Sequence, residues 1–150
     1  MPNLIPSRAL VIETAAATLL SAGALAVMAA VERRGPLQPL NATSHWLNGD
    51  EVADVRGPGW RTTGVGFGTH LAATAFWAAI FQAWMARGSR SAANIAGKAV
   101  AMAGISAVVD YRATPKRFTP GWEFVLSPGS MVVAYAAMSI GFAIGAAASE

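Results

Sequence analysis

The sequence predicts an all-α protein, an integral membrane four-helix bundle. Three observations carry that expectation. Four long apolar runs lie within 150 residues, hydrophobic residues make up 54% of the chain against 13% charged, and the charges fall mostly between the runs. A bilayer's hydrocarbon core is about 30 Å thick, so a spanning helix needs about 20 apolar residues. The runs are continuous rather than alternating, which argues against a closed barrel.

The first helix is expected over 9–31, the second over 64–85, the third over 92–111 and the fourth over 128–148. Together they form a single membrane domain, 1–150, with no room for a separate globular one. The first run is too long for the apolar segment of a typical signal peptide, and Arg8 is the one charge before it, so it reads as a retained helix. Ser127 and Pro128 make a cap and first-turn pair for the fourth helix. Pro115 and Pro120 interrupt the segment before it, where no continuous helix is expected. In the long first loop, Asn41 or Thr43 is expected to cap a short helix. Trp46 and Trp60 suit an interfacial position.

Small residues recur at four-residue spacing, Gly64, Gly68 and Ala72 on the second helix and Ala137, Gly141 and Gly145 on the fourth. Such rows let helix backbones approach closely in lipid. The glycines of Gly64-Val65-Gly66-Phe67-Gly68 follow no strand and open an apolar helix, which excludes a dinucleotide-binding loop. Cysteine is absent, so disulfides, a thiolate nucleophile and cysteine-ligated metals are excluded. A pI near 10 is explained by membrane-flanking charge rather than by nucleic acid.

Four spans place both termini on one side and the loops after helices one and three on the other. On the terminal side Glu13, Gln82 and Lys98 lie at comparable depth, and Glu13 is expected to pair with Lys98, because an unpaired charge in hydrocarbon is costly. On the opposite side His45, Asp50, His70, Asp110, Lys116, Arg117 and Glu123 are expected to gather into one polar cluster at the mouth of the bundle. His70, Thr74 and Trp77 share a helix face, so His70 is expected to point inward. An intramembrane histidine is a functional candidate by default. Two histidines without a repeated partner do not specify a haem, and His45, Asp50, His70 and Asp110 lack a recognised metal spacing; neither a cofactor nor a metal is expected. Ser44, His45 and Asp50 are too close in sequence to form a hydrolase triad. Lys116 and Arg117 suit an anionic lipid headgroup or serve as orientation charge. The loops after helices one and three hold Arg33, Arg34, Arg56, Arg61, Arg112, Lys116 and Arg117, against Arg8, Arg87, Arg90 and Lys98 on the other side. That bias favours cytoplasmic long loops and external termini.

The strings N-A-T-S-H-W-L-N-G-D (Asn41 to Asp50), G-F-G-T-H-L-A-A-T-A-F-W (Gly66 to Trp77) and V-D-Y-R-A-T-P-K-R-F-T-P-G-W-E (Val109 to Glu123) resemble uncharacterised small inner-membrane proteins of proteobacteria, with a more distant similarity to YagU-like inner-membrane proteins. The resemblance implies a bacterial inner (cytoplasmic) membrane and a four-helix membrane protein, and it supplies no catalytic residue. With no complete catalytic set, the leading expectation is a non-enzymatic accessory or structural subunit, docked on a larger membrane complex or self-associating. The alternative is a small transporter or channel moving protons or small solutes past His70 and Asp110.

Overall fold

In a computed structural model, residues 8–148 are described, and among them every regular element is helical. Four long helices form an up-down-up-down ring: α1 (Arg8–Val31), α4 (Val65–Met85), α5 (Ala92–Val108) and α6 (Pro128–Ala147). Two short helices, α2 (Gln38–Thr43) and α3 (His45–Asn48), lie in the first loop. One π turn, Trp60–Gly64, leads into α4, and another, Val109–Ala113, extends α5. All four long segments are long and apolar enough to cross a membrane. The expected boundaries agree to within a few residues.

Neighbouring helices run antiparallel around the ring in the order α4, α1, α6, α5. The most extensive contact is between α1 and α6. It exists because Gly141 and Gly145 have no side chain: a Cβ on Gly141 would lie 2.2 Å from Ala17 Cα, and one on Gly145 would lie 2.6 Å from the Glu13 backbone. The expected packing row on α6 is therefore used. The row on α4 is not, because Gly68 and Ala72 face outward. Gly66 takes the packing role, since its Cβ would collide with the Leu40 carbonyl of α2.

At its other end α1 is fastened to α6 by Glu32. Ser127 donates to this carboxylate from its backbone N–H (3.1 Å) and its hydroxyl (2.6 Å), and the Ser130 hydroxyl donates as well. The bonds from Ser127 and Ser130 hold the Glu32 carboxyl below the usual carboxylate range. Ser127 also accepts from the Ser130 N–H, the cap that its sequence position predicts.

The distribution of side chains inverts that of a water-soluble bundle. Leu19, Val27, Phe76, Val100, Val132 and Ile140 are exposed on the outer surface, whereas Glu13, Thr18, Ser21, His70, Thr74 and Ser106 are buried inside. The apolar core proper, including Leu25, Phe81, Met85, Met102 and Phe142, fills the space among these polar groups. Phe81 stacks on Phe142 at 5.2 Å and joins α4 to α6.

The first loop is a fitted cap held by two buried carboxamides. Asn41 does not cap a helix as expected; it lies inside α2, which begins at Gln38 with Pro39 in its first turn. Its side chain donates to Val55 O (2.7 Å) and Gly57 O (3.0 Å) and accepts from the Thr63 hydroxyl (2.6 Å). Gln38 donates to Ala53 O (2.8 Å) and accepts from the Gly35 N–H. Thr43 is not a cap either, and its hydroxyl bonds back to Pro39 O. Trp60 is 84% exposed, at the start of the π turn that leads into α4.

Two glycine-to-alanine substitutions are expected to move stability in opposite directions. Gly141→Ala forces α6 away from the α1 backbone and costs about 1–3 kcal/mol. Gly104→Ala in α5, where nothing lies within 4 Å of the new Cβ, gains up to about 1 kcal/mol in helix propensity. Thermal unfolding of the purified protein in detergent measures both; equal shifts of one sign would contradict this packing.

Candidate functional site

The polar residues expected in one cluster separate into two adjoining sites under the first and third loops. The deeper is a cavity of about 340 Å³ between α4, the π turn that ends α5, α6 and the loops. His70, Thr74 and Trp77 enter it from α4, as their spacing predicts, and Asp110 from the π turn after α5. Tyr135 and Met138 come from α6, Trp46 from the first loop, and Phe118 and Trp122 from the third.

The cavity's polar groups are few and well held. His70 is 5% exposed, and its Nε2 lies 2.9 Å from the Ser21 hydroxyl of α1. Ser21 donates its own hydrogen to Ala17 O (2.6 Å), so it accepts from His70, which fixes the Nε2–H tautomer. Tyr135 donates to Asp110 Oδ2 at 2.6 Å. The π turn permits this contact by widening the end of α5, a distortion frequent at functional sites. Two indoles are locked by threonines: Trp46 donates to the Thr69 hydroxyl (3.1 Å) and Trp122 to the Thr43 hydroxyl (3.0 Å). Trp122 also lies edge-on to His70 and tilted against Tyr135, with centroids 5.6 and 5.4 Å apart.

The second site is a shallower groove lined by His45, Asp50, Lys116 and Arg117, with Phe124 at its wall. His45 Nδ1 lies 2.9 Å from Asp50 Oδ1, and its Nε2 lies 2.9 Å from Thr119 O. Both partners are acceptors, so both bonds are complete only when each ring nitrogen carries a hydrogen. His45 thereby clamps the first loop to the third. Gly121 lets the third loop come close at this point: it has φ +79°, and a Cβ would meet Ala42 O and the His45 ring. Arg117 Nε donates to Trp46 O (3.2 Å) across the same seam. Glu123 faces neither site openly. One of its oxygens accepts from the Thr119 hydroxyl, and the other is buried without a hydrogen-bond partner.

Glu13 and Lys98 do not meet. Glu13 is fully buried in the seam of α1, α4 and α6 and accepts from Gln82 Nε2 at 2.8 Å. Lys98 belongs to α5, which packs on α6 and α4, and its ammonium donates to Trp84 O (3.0 Å) and Arg87 O (2.6 Å) at the C-terminus of α4. Free carbonyls at a helix end are a natural place for a cation, and they outcompete a carboxylate on a helix that α5 does not face. Gln82 does lie at the depth of Glu13, as the sequence suggests.

Sequence reasoning missed Tyr135 and Trp122 as parts of the cavity wall and Ser21 as the partner of His70. Tyr135 carried a usable signal, a phenol in the middle of an otherwise apolar span. The described residues contain no group of three or more His, Asp or Glu placed to hold a metal ion. No family model, curated protein or solved structure matches the chain.

Replacing His45 by alanine is expected to cost about 1–3 kcal/mol, since the buried Thr119 carbonyl loses its partner. Hydrogen exchange across residues 115–124 should rise in His45→Ala. Unchanged protection there would show that the histidine does not join the loops.

Proposed function

We propose that this chain is a small integral membrane protein that binds a small, largely apolar molecule in the cavity between His70 and Asp110. The proposal includes a role in moving that molecule across the bilayer, supported by four helices long and apolar enough to cross a membrane. The observation that carries the reading is the convergence of His70 and Asp110, from different helices, on one aromatic-walled cavity. Ligand sites are typically apolar concavities with a few placed polar groups. Ala73 and Phe118 in the lining are exposed, which supports access from outside.

Membrane insertion is supported by the apolar outer surface, the buried polar interior and the four long apolar helices. The resemblance of the loop and helix strings supports a bacterial inner membrane, and the excess of Lys and Arg in the long loops supports cytoplasmic placement of those loops. A second reading, an accessory or self-associating subunit, is favoured by one feature. Gly68 and Ala72 form a small-residue strip on α4 that this chain leaves uncovered.

The cavity reading is tested with bromobenzene, a neutral heavy-atom quencher, on protein in lipid nanodiscs. Three of the five tryptophans line the cavity. Quenching should therefore contain a saturable component, weakened at least tenfold by Ala73→Phe. Quenching that rises linearly with bromobenzene and ignores the substitution would reject this cavity as a binding site.

A further inference from the structure

We infer that the cavity selects lipophilic organic cations, a tertiary amine or quaternary ammonium group carried on a compact apolar body. This inference rests on the binding reading above and narrows it to a ligand class.

Three features of the lining point to positive charge. The first is its aromatic content: Trp46, Trp77, Phe118, Trp122 and Tyr135 all contribute to the wall. Aromatic faces carry a negative quadrupole and attract cations within about 6 Å of the ring centroid, most strongly when the cation is poorly hydrated. The N–H groups of Trp46 and Trp122 are already taken by Thr69 and Thr43. Those two indoles thus offer the ligand their π surface and not a donor. Trp122 is also held by ring contacts with His70 and Tyr135, so it loses little freedom when a guest arrives.

The second feature is charge. Asp110 is the single carboxylate of the lining, and neither lysine nor arginine contributes to it. The loop cations Lys116 and Arg117 line the neighbouring groove with Asp50 instead. A neutral guest would leave Asp110 without a counter-charge in an apolar wall, and an anion would be repelled. A cation gains the carboxylate in surroundings where water screens it poorly.

The third feature is how Asp110 is held. Tyr135 occupies Oδ2 alone, so among the described residues Oδ1 has no hydrogen-bond partner and is available to a guest. Tyr135 places the carboxylate and contributes its own ring to the wall. Trp122 lies against that ring, so the charge and the aromatic surface form one unit.

The test uses two molecules that differ only in charge, benzyltrimethylammonium and its carbon isostere neopentylbenzene, with phenylmethanesulfonate as the anion. Each competes with the saturable bromobenzene quenching in nanodiscs, with concentrations corrected for partition into lipid. The cation is expected to displace bromobenzene with an apparent Kd at least tenfold below that of the isostere, and the anion to be weakest. Asp110→Asn should abolish the tenfold preference while neopentylbenzene competes as before, and retained bromobenzene saturation reports that the variant cavity is intact. The wild-type ranking decides the matter by itself if that variant fails to fold. Equal competition by the cation and its isostere, or a preference that survives Asp110→Asn, overturns the inference and leaves the cavity reading standing. Loss of saturable bromobenzene quenching in the wild-type protein overturns both.

Discussion

The backbones of α1 and α6 touch because Gly141 and Gly145 carry no side chain where Ala17 and Glu13 come nearest. Without a hydrophobic driving force between helices in lipid, such close approach is what holds a bundle together. The seam sets the position of the other elements. Glu13 is buried beneath Gly145 and reaches Gln82 on α4, while Glu32 at the far end gathers Ser127 and Ser130 of α6. With α1 fixed at both ends, Ser21 stands opposite His70, and α4 is held at the distance that leaves a cavity between it, the π turn that ends α5, and α6.

The loops complete what the helices begin. A bundle of four helices alone would leave the mouth of the cavity unwalled. Here Trp46 and Trp122 close it, one from each long loop, and His45 joins those loops through its Nε2 bond to Thr119 O while Asp50 holds its Nδ1. Both π turns lie at this end of the molecule, one entering α4 and one leaving α5. A continuous α-helix has no spare backbone carbonyl and turns its side chains by a fixed angle. The wider turn changes that angle, and it brings Asp110 to Tyr135.

The helices were legible in the sequence because a long apolar run has one common explanation, and their ends were marked by Ser127-Pro128 and by Pro115 and Pro120. The inward face of α4 was legible too, from the spacing of His70, Thr74 and Trp77. Pairings across helices were not. Assigning Glu13 to Lys98 used depth and charge, but which helices are neighbours depends on close-packed faces, and α5 does not face α1. The row Gly64, Gly68 and Ala72 has the spacing of a contact and yet faces outward, while Gly66, off that row, meets α2. Asn41 reads as a cap from its residue type, and its actual work is to tie α2 to residues 55–57 and to Thr63 of the π turn. The expected polar cluster was half legible: its members lie under the same two loops, but their division into an aromatic cavity and a charged groove depends on where Trp46 and Trp122 sit.

The account depends on the bundle crossing lipid with its two long loops together on one side. Because the chain has no cysteine, single cysteines at Asp54, Ser89 and Thr114 can each be challenged with a membrane-impermeant maleimide in sealed vesicles of known orientation. Positions 54 and 114 should react from the same side, and position 89 from the other. Labelling of all three from one side, or of 54 and 114 from opposite sides, would contradict it.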